Sequence, residues 1–230
     1  MKKINTYILE KFKISKDIKL KEHYYHPKDK KKLRSLLKEL LKERGKDSDL
    51  NDIDTSEITD MKELFWGLDP HNIDISNWDV SNVTDMEDIF RNCKKFNSDL
   101  SRWNVSNVKY MHNMFRECSK FNSDLNEWDV SKVEDMCLMF CGCSNFNSDL
   151  SQWDVSNVTD MQYMFDGCKK FNSDLSKWNV SNVTRMNYMF DKCENFNSDL
   201  NDWDISSIIN MKNMFNDCTS LKNIPSWYHE

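Results

Sequence analysis

From residue 51 onward the apolar positions return on a fixed step. Trp78, Trp103, Trp128, Trp153, Trp178 and Trp203 lie 25 residues apart without an insertion, and Ile53 holds the same slot one unit earlier. The columns from Met61 to Met211, from Phe65 to Phe215 and from Leu100 to Leu200 keep that step. A period of this size predicts stacked structural repeats. From Leu100 one unit reads Leu-x-x-Trp-x-Val-x-x-Val-x-x-Met-x-x-Met-Phe-x-x-Cys-x-x-Phe. Trp103 and Val105 alternate with polar neighbours as a short strand does, and Met111, Met114, Phe115 and Cys118 then take helical spacing. The pattern therefore predicts about seven coils, each a strand followed by a short helix. Thr84, Thr159 and Thr184 stand as N-caps, with Asp85 and Asp160 at the positive end of the helix dipole.

A lone unit of this length buries too little to order itself, so stability must come from stacking on neighbours. Paired strands sit about 4.8 Å apart and helices about 8 to 10 Å apart, which predicts a curved array with its helical side the longer one. Both ends need covers. At the amino end Leu33, Leu36, Leu37, Leu40 and Leu41 lie on one face of a predicted helix over Lys28 to Arg44, between Pro27 and Gly45. At the other end the pattern decays after Cys218 into Leu221, Ile224, Pro225 and Trp227, which reads as a lid. The expected domains are a basic N-terminal segment with a capping helix (1–50), a repeat array (51–222) and a C-terminal cap or tail (223–230). Ile4, Ile8, Phe12 and Ile14 fit helix or strand alike.

Charge sharpens this division. Residues 1–50 carry 16 Lys or Arg against eight Asp or Glu, and the remaining residues carry 16 against 30. The run from Lys28 to Arg34 is a candidate phosphate contact, but the acidic array beside it would repel a nucleic acid. The other reading is a solvated helix face. No apolar run approaches the ~18 residues of a membrane span, and the amino terminus lacks a signal-peptide core.

Two sets of recurring polar groups have structural and chemical readings. Cys93, Cys118, Cys143, Cys168, Cys193 and Cys218 form a column whose first member is Leu68, which suits small buried thiols. Parallel side chains on successive coils disfavour a disulfide ladder. Cys137, Cys141 and Cys143 would need a fourth ligand to hold zinc. The Asn column from Asn72 to Asn197 and the Asp column from Asp74 to Asp199 fit Asx turns, with a row of Ca²⁺ ions as the alternative.

Catalysis is not expected. The five His are scattered, and neither a phosphate loop nor a nucleophile elbow occurs. Recognition would fall to slots that vary between units: Glu87, His112, Cys137, Gln162, Asn187 and Lys212, and beside them Asp88, Asn113, Leu138, Tyr163, Tyr188 and Asn213. Tyr110, His112, Leu138, Tyr163 and Tyr188 form the candidate surface, since Tyr gives large contact area at low entropic cost. Asn77, Arg102, Glu127, Gln152, Lys177 and Asp202 are a second variable slot.

The string FNSDLSQWDVSNVTDMQYMFDGC from Phe146 to Cys168, with its near copies over about residues 51–222, resembles the 25-residue leucine-rich repeat of the BspA-like surface proteins. That resemblance implies an α/β leucine-rich-repeat-like solenoid that binds macromolecules, several members being bacterial adhesins, with similar arrays in large viruses and phages. The adhesins' signal peptide, lipid-attachment Cys and anchoring tail are not visible in this sequence. It thus reads as intracellular, where the resemblance implies the cell surface. The expected function is non-catalytic binding of a protein or glycan partner, without cofactor or metal. The alternative is a structural or assembly spacer in a surface or viral particle.

Overall fold

The computed structural model describes residues 23–229, so the stretch containing Ile4, Ile8, Phe12 and Ile14 lies outside the described residues. Among the described residues one α-helix, α1 (Lys30–Glu43), precedes a series of coils in which each unit lies on the one before. Parallel bridges join Asp60 to Asp85, Asp85 to Tyr110, Tyr110 to Asp135, Asp135 to Asp160, Asp160 to Arg185 and Arg185 to Asn210. Equivalent rings stack accordingly: Trp78 on Trp103, Phe90 on Phe115, Phe121 on Phe146. The columns of Trp, Val, Met, Phe, Cys and Leu form one continuous core running the length of the array.

The strand and helix expected in each coil are not there. Trp103 and Val105 lie between turns, and the ladder instead passes through Tyr110. The segment from Met111 to Cys118 is two successive β-turns, closed by Met114 N–H donating to the Met111 carbonyl (3.1 Å) and Cys118 N–H to that of Phe115 (2.9 Å). Their third residues, Asn113 (φ 54°) and Glu117 (φ 63°), are left-handed, the geometry of type II turns. The ends of two back-to-back turns fall at the first, fourth, fifth and eighth residues, and these are the ones that face the core. Inward positions therefore copy the i, i+3, i+4, i+7 spacing of a helix face, which is why the sequence pattern mimics one. Nor do the threonines cap helices: Thr84, Thr159 and Thr184 pass their N–H groups to carbonyls of the preceding coil.

Without helices the curvature expectation reverses. The N–H groups of Met111, Asn113, Phe115 and Glu117 donate to the carbonyls of Asp135, Cys137, Met139 and Cys141 on the next coil. These bonds draw that side together to the spacing of paired strands. Ring centroids one coil apart are 4.7 Å apart for Tyr163 and Tyr188 on this side, 5.6 Å for Phe115 and Phe140, and 6.5 Å for Trp128 and Trp153 opposite. The double-turn side is thus the tighter one.

The first coil is covered by α1, whose N-cap Asp29 accepts from Lys32 N–H. Leu33, Leu37, Leu40 and Leu41 are buried against the core, while Leu36 is half-buried. Charge reinforces the contact: Lys30 Nζ reaches Asp60 (2.6 Å), Lys28 reaches Glu57, and Arg44 pairs with Asp52 (3.0 Å). Part of the basic segment is thus spent on the acidic first coil. At the far end Pro225 is buried and Trp227 stacks on Trp203.

Candidate functional site

The double-turn wall carries the variable residues of each coil. Its four corner columns begin at Lys62, Glu63, Trp66 and Gly67 and run, coil by coil, through unlike residues to Lys212, Asn213, Asn216 and Asp217. Because the coils here are joined main chain to main chain, the corner side chains are left free to differ. The corners impose only a backbone demand, a left-handed residue at the third position of each turn. Gly67, Gly142 and Gly167 meet it without strain. Leu138 (φ 58°), Tyr163 (φ 54°) and Tyr188 (φ 58°) meet it with bulky side chains, a conformation that costs about 1–2 kcal/mol per residue.

The predicted surface residues all lie on this wall but do not form one cluster. Tyr163 and Tyr188 stack with planes 5° apart, and burial pushes the Tyr163 phenol up. Leu138 holds the same column one coil earlier, half-buried. Tyr110 sits in the bridge column, 43% exposed, and His112 occupies the first turn corner of that coil. His112 Nδ1 lies 3.8 Å from the Asp135 carboxylate, which holds the imidazole pKa above its usual value against partial burial. Asn113 and Asn187, buried in the wall, each keep an amide oxygen with no hydrogen-bond donor.

One column escaped the sequence reading. Trp66, Arg91 and Arg116 precede Cys141, Asp166, Asp191 and Asn216 at the third turn corner. Trp66 is 44% exposed, and the Arg91 guanidinium lies over its ring at 5.8 Å while bonding Asp88 (3.1 Å). The third corner is thus aromatic and then cationic in the first coils and acidic in the later ones, at Asp166 and Asp191. The lack of a recurrent residue type in that column was the available signal.

The opposite wall is repetitive, and its polar groups are engaged. Asp99, Asp124, Asp149, Asp174 and Asp199 each accept the N–H two residues on. Those bonds hold the Asp99, Asp149, Asp174 and Asp199 carboxyls below the usual range. The Asn column works between coils: Asn97 Oδ1 accepts from Asn122 N–H, Asn122 from Asn147, Asn147 from Asn172 and Asn172 from Asn197. A shallow hollow of about 380 Å³ there includes Asp149, Asp174 and, from the second variable slot, Gln152 and Lys177.

Inside, the Cys118, Cys143, Cys168 and Cys193 thiols donate to the carbonyls of Phe90, Phe115, Phe140 and Phe165 at 3.0–3.1 Å. Burial raises all four well above the ordinary thiol value. Cys137 and Cys141 belong instead to the variable wall, and burial pushes each up to about 12. Cys141 Sγ donates to Asp166 (3.8 Å). Among the described residues no group of three or more His, Cys, Asp or Glu is placed to hold a metal ion, and no helix is long and apolar enough to cross a membrane.

A family model described as "Mycoplasma protein of unknown function, DUF285" matches residues 33–151 and again 122–228. No curated protein and no solved structure matches the chain.

Proposed function

From the premise that the chain belongs to the DUF285 family, a repeat family of unknown function, we propose that it is a leucine-rich-repeat-like solenoid acting as a non-catalytic binding module. Its partner is a protein, or a glycan, held along the double-turn wall. The observation that carries this reading is the concentration of side-chain variety on the wall whose coils are joined by main-chain bonds. Variety there costs the scaffold little, and the wall displays aromatic groups suited to contact. Tyr163 and Tyr188 support the reading further, being large aromatic residues in a column whose other members are Glu, Asp, Asn and Leu. The buried amide oxygens of Asn113 and Asn187 add unmet acceptors on the same wall.

The test is affinity capture from source cells with the full chain immobilised, followed by Tyr163→Ala and Tyr188→Ala in the same format. Recognition predicts partners that are lost with the two tyrosines while the melting curve stays cooperative. Capture indifferent to the tyrosines but graded with the number of coils would favour the assembly reading instead.

A further inference from the structure

The two ends of the array differ in hydrogen-bonding polarity. Along the double-turn wall each coil sends N–H groups forward and receives at its carbonyls from the coil behind. At the first coil α1 takes over part of that series, the Arg34 guanidinium donating to the carbonyls of Leu64 and Trp66 and also to that of Glu63. Among the described residues, the main-chain N–H groups of Met211, Asn213, Phe215 and Asp217 at the seventh coil find no acceptor and the Ile209 carbonyl receives no N–H.

The apolar surface at that end is also half open. Residues 221–228 return over Trp203, where Trp227 stacks and donates its Nε1 to the Leu200 carbonyl (2.9 Å). Over residues 205–217 the cover is incomplete. Ile205, Ile208 and Met211 are half-buried, whereas Val180, Val183 and Met186 one coil earlier are buried. Ile209 is 84% exposed in a column that otherwise holds Thr, Lys or Glu. A sheet-like edge of unpaired donors beside uncovered apolar groups is a template for an added chain.

We propose that this end binds a segment of another polypeptide that has the spacing Val-x-x-Val-x-x-Met-x-x-Met-Phe and, folding into the same turns, completes an eighth coil. The array itself shows the complement. Arg185, Asn187, Met189 and Asp191 offer carbonyls to the coil before, and Thr184 N–H donates to the Thr159 carbonyl. A segment in that register would satisfy all four open donors and the Ile209 carbonyl while covering Ile205, Ile208 and Met211. A second copy does not fit: its first coil is occupied by α1 and Arg34, and two seventh coils face to face would set donors against donors. The proposal stands apart from the lateral-wall reading, because it uses the end of the stack and its main chain.

The probe is a synthetic peptide with the sequence of residues 180–192, added to the full chain, with amide hydrogen exchange read at single-residue resolution. The expected result is rapid exchange at Met211, Asn213, Phe215 and Asp217 in the free chain, slowed about tenfold or more by the peptide. Replacing the peptide's equivalents of Val183 and Met186 by Asp should weaken binding more than about tenfold, since each loses most of a buried side chain's transfer energy. The proposal is overturned if millimolar peptide slows none of the four amides, or if the doubly substituted peptide slows them equally. It is also overturned if they are protected in the free chain, whether as a monomer or as a dimer detected by sedimentation.

Discussion

The wall through Asn122, Ser123, Leu125 and Trp128 and the wall from Tyr110 to Glu117 both bond one coil to the next, by different means. On the first, the coils stand farther apart, and side chains supply most of the bonds between them. Trp128 Nε1 donates to the Leu100 carbonyl (3.0 Å), Ser123 Oγ accepts from Leu100 N–H (2.9 Å), and Asn122 Oδ1 accepts from Asn147 N–H (2.8 Å). On the second, direct N–H to carbonyl bonds do the joining. A side-chain bridge specifies a residue type and a main-chain bridge does not, so curvature, repetition and variability have one cause. The first unit supplies an exception that fits: Ile73 stands where later coils have Ser, and there Leu50 N–H donates to the Asp74 carbonyl itself.

The severest challenge to this comparison is a change of register. Deleting one whole unit, Trp128 to Gln152, joins like to like on both walls and should leave a cooperatively melting protein with a lower midpoint. Deleting about half that length brings side-chain bridges opposite turn corners and should abolish cooperative melting by circular dichroism. Equal damage from the two deletions would show that the coils are not interchangeable.

Single substitutions come next. Trp153→Phe keeps a ring in the column but leaves the buried Leu125 carbonyl without its donor, at a cost of about 2–3 kcal/mol. Gln162→Ala, on the variable wall, should stay within about 0.5 kcal/mol. Urea midpoints of the two variants measure the difference between the walls directly, and similar losses would contradict it.

Turn geometry predicts effects of opposite sign within one column. Gly142 lies at φ 78°, and a Cβ there would come 3.0 Å from the Glu117 carboxyl group. Gly142→Ala should therefore cost about 1–2 kcal/mol. Glu117→Gly relieves a left-handed residue (φ 63°) and should gain about 0.5–1 kcal/mol. Since the crowding is between these two residues, the double variant should lose less than the sum of the separate changes.

These residues also mark what was legible in the sequence. Vertical neighbours could be read, because the unbroken step of Trp78 to Trp203 fixes which side chains meet. Inward and outward positions could be read as well, since a helix and a pair of β-turns place apolar residues at the same intervals. That equivalence hid the backbone. Glycines at 67, 142 and 167, with Asn92 in the same column, were the sign of left-handed corners, but Glu117 and Lys192 in that column diluted it. Tyr163 and Tyr188 stood out as variable residues; their positive φ could not, because propensity places neither there. The open donors of Met211 to Asp217 depend on where covering chain is lacking, which no local pattern encodes.

The smallest expected effect tests whether the variable wall is energetically slack. His112 faces Asp135, with Glu87 and Asp88 also nearby, and its pKa is raised chiefly by Asp135. A raised folded-state pKa means that the ion pair contributes fully below the unfolded value near 6.5 and is lost as pH rises through the folded value. The melting temperature should therefore fall slightly more between pH 6 and pH 8 in the native chain than in His112→Gln, with the difference reduced in about 0.5 M salt. The effect should be small because His112 and Asp135 both remain partly exposed, and exposed pairs contribute little. A large difference would mean that this wall is held by its side chains after all, and the contrast between main-chain and side-chain joining would fail where it matters most.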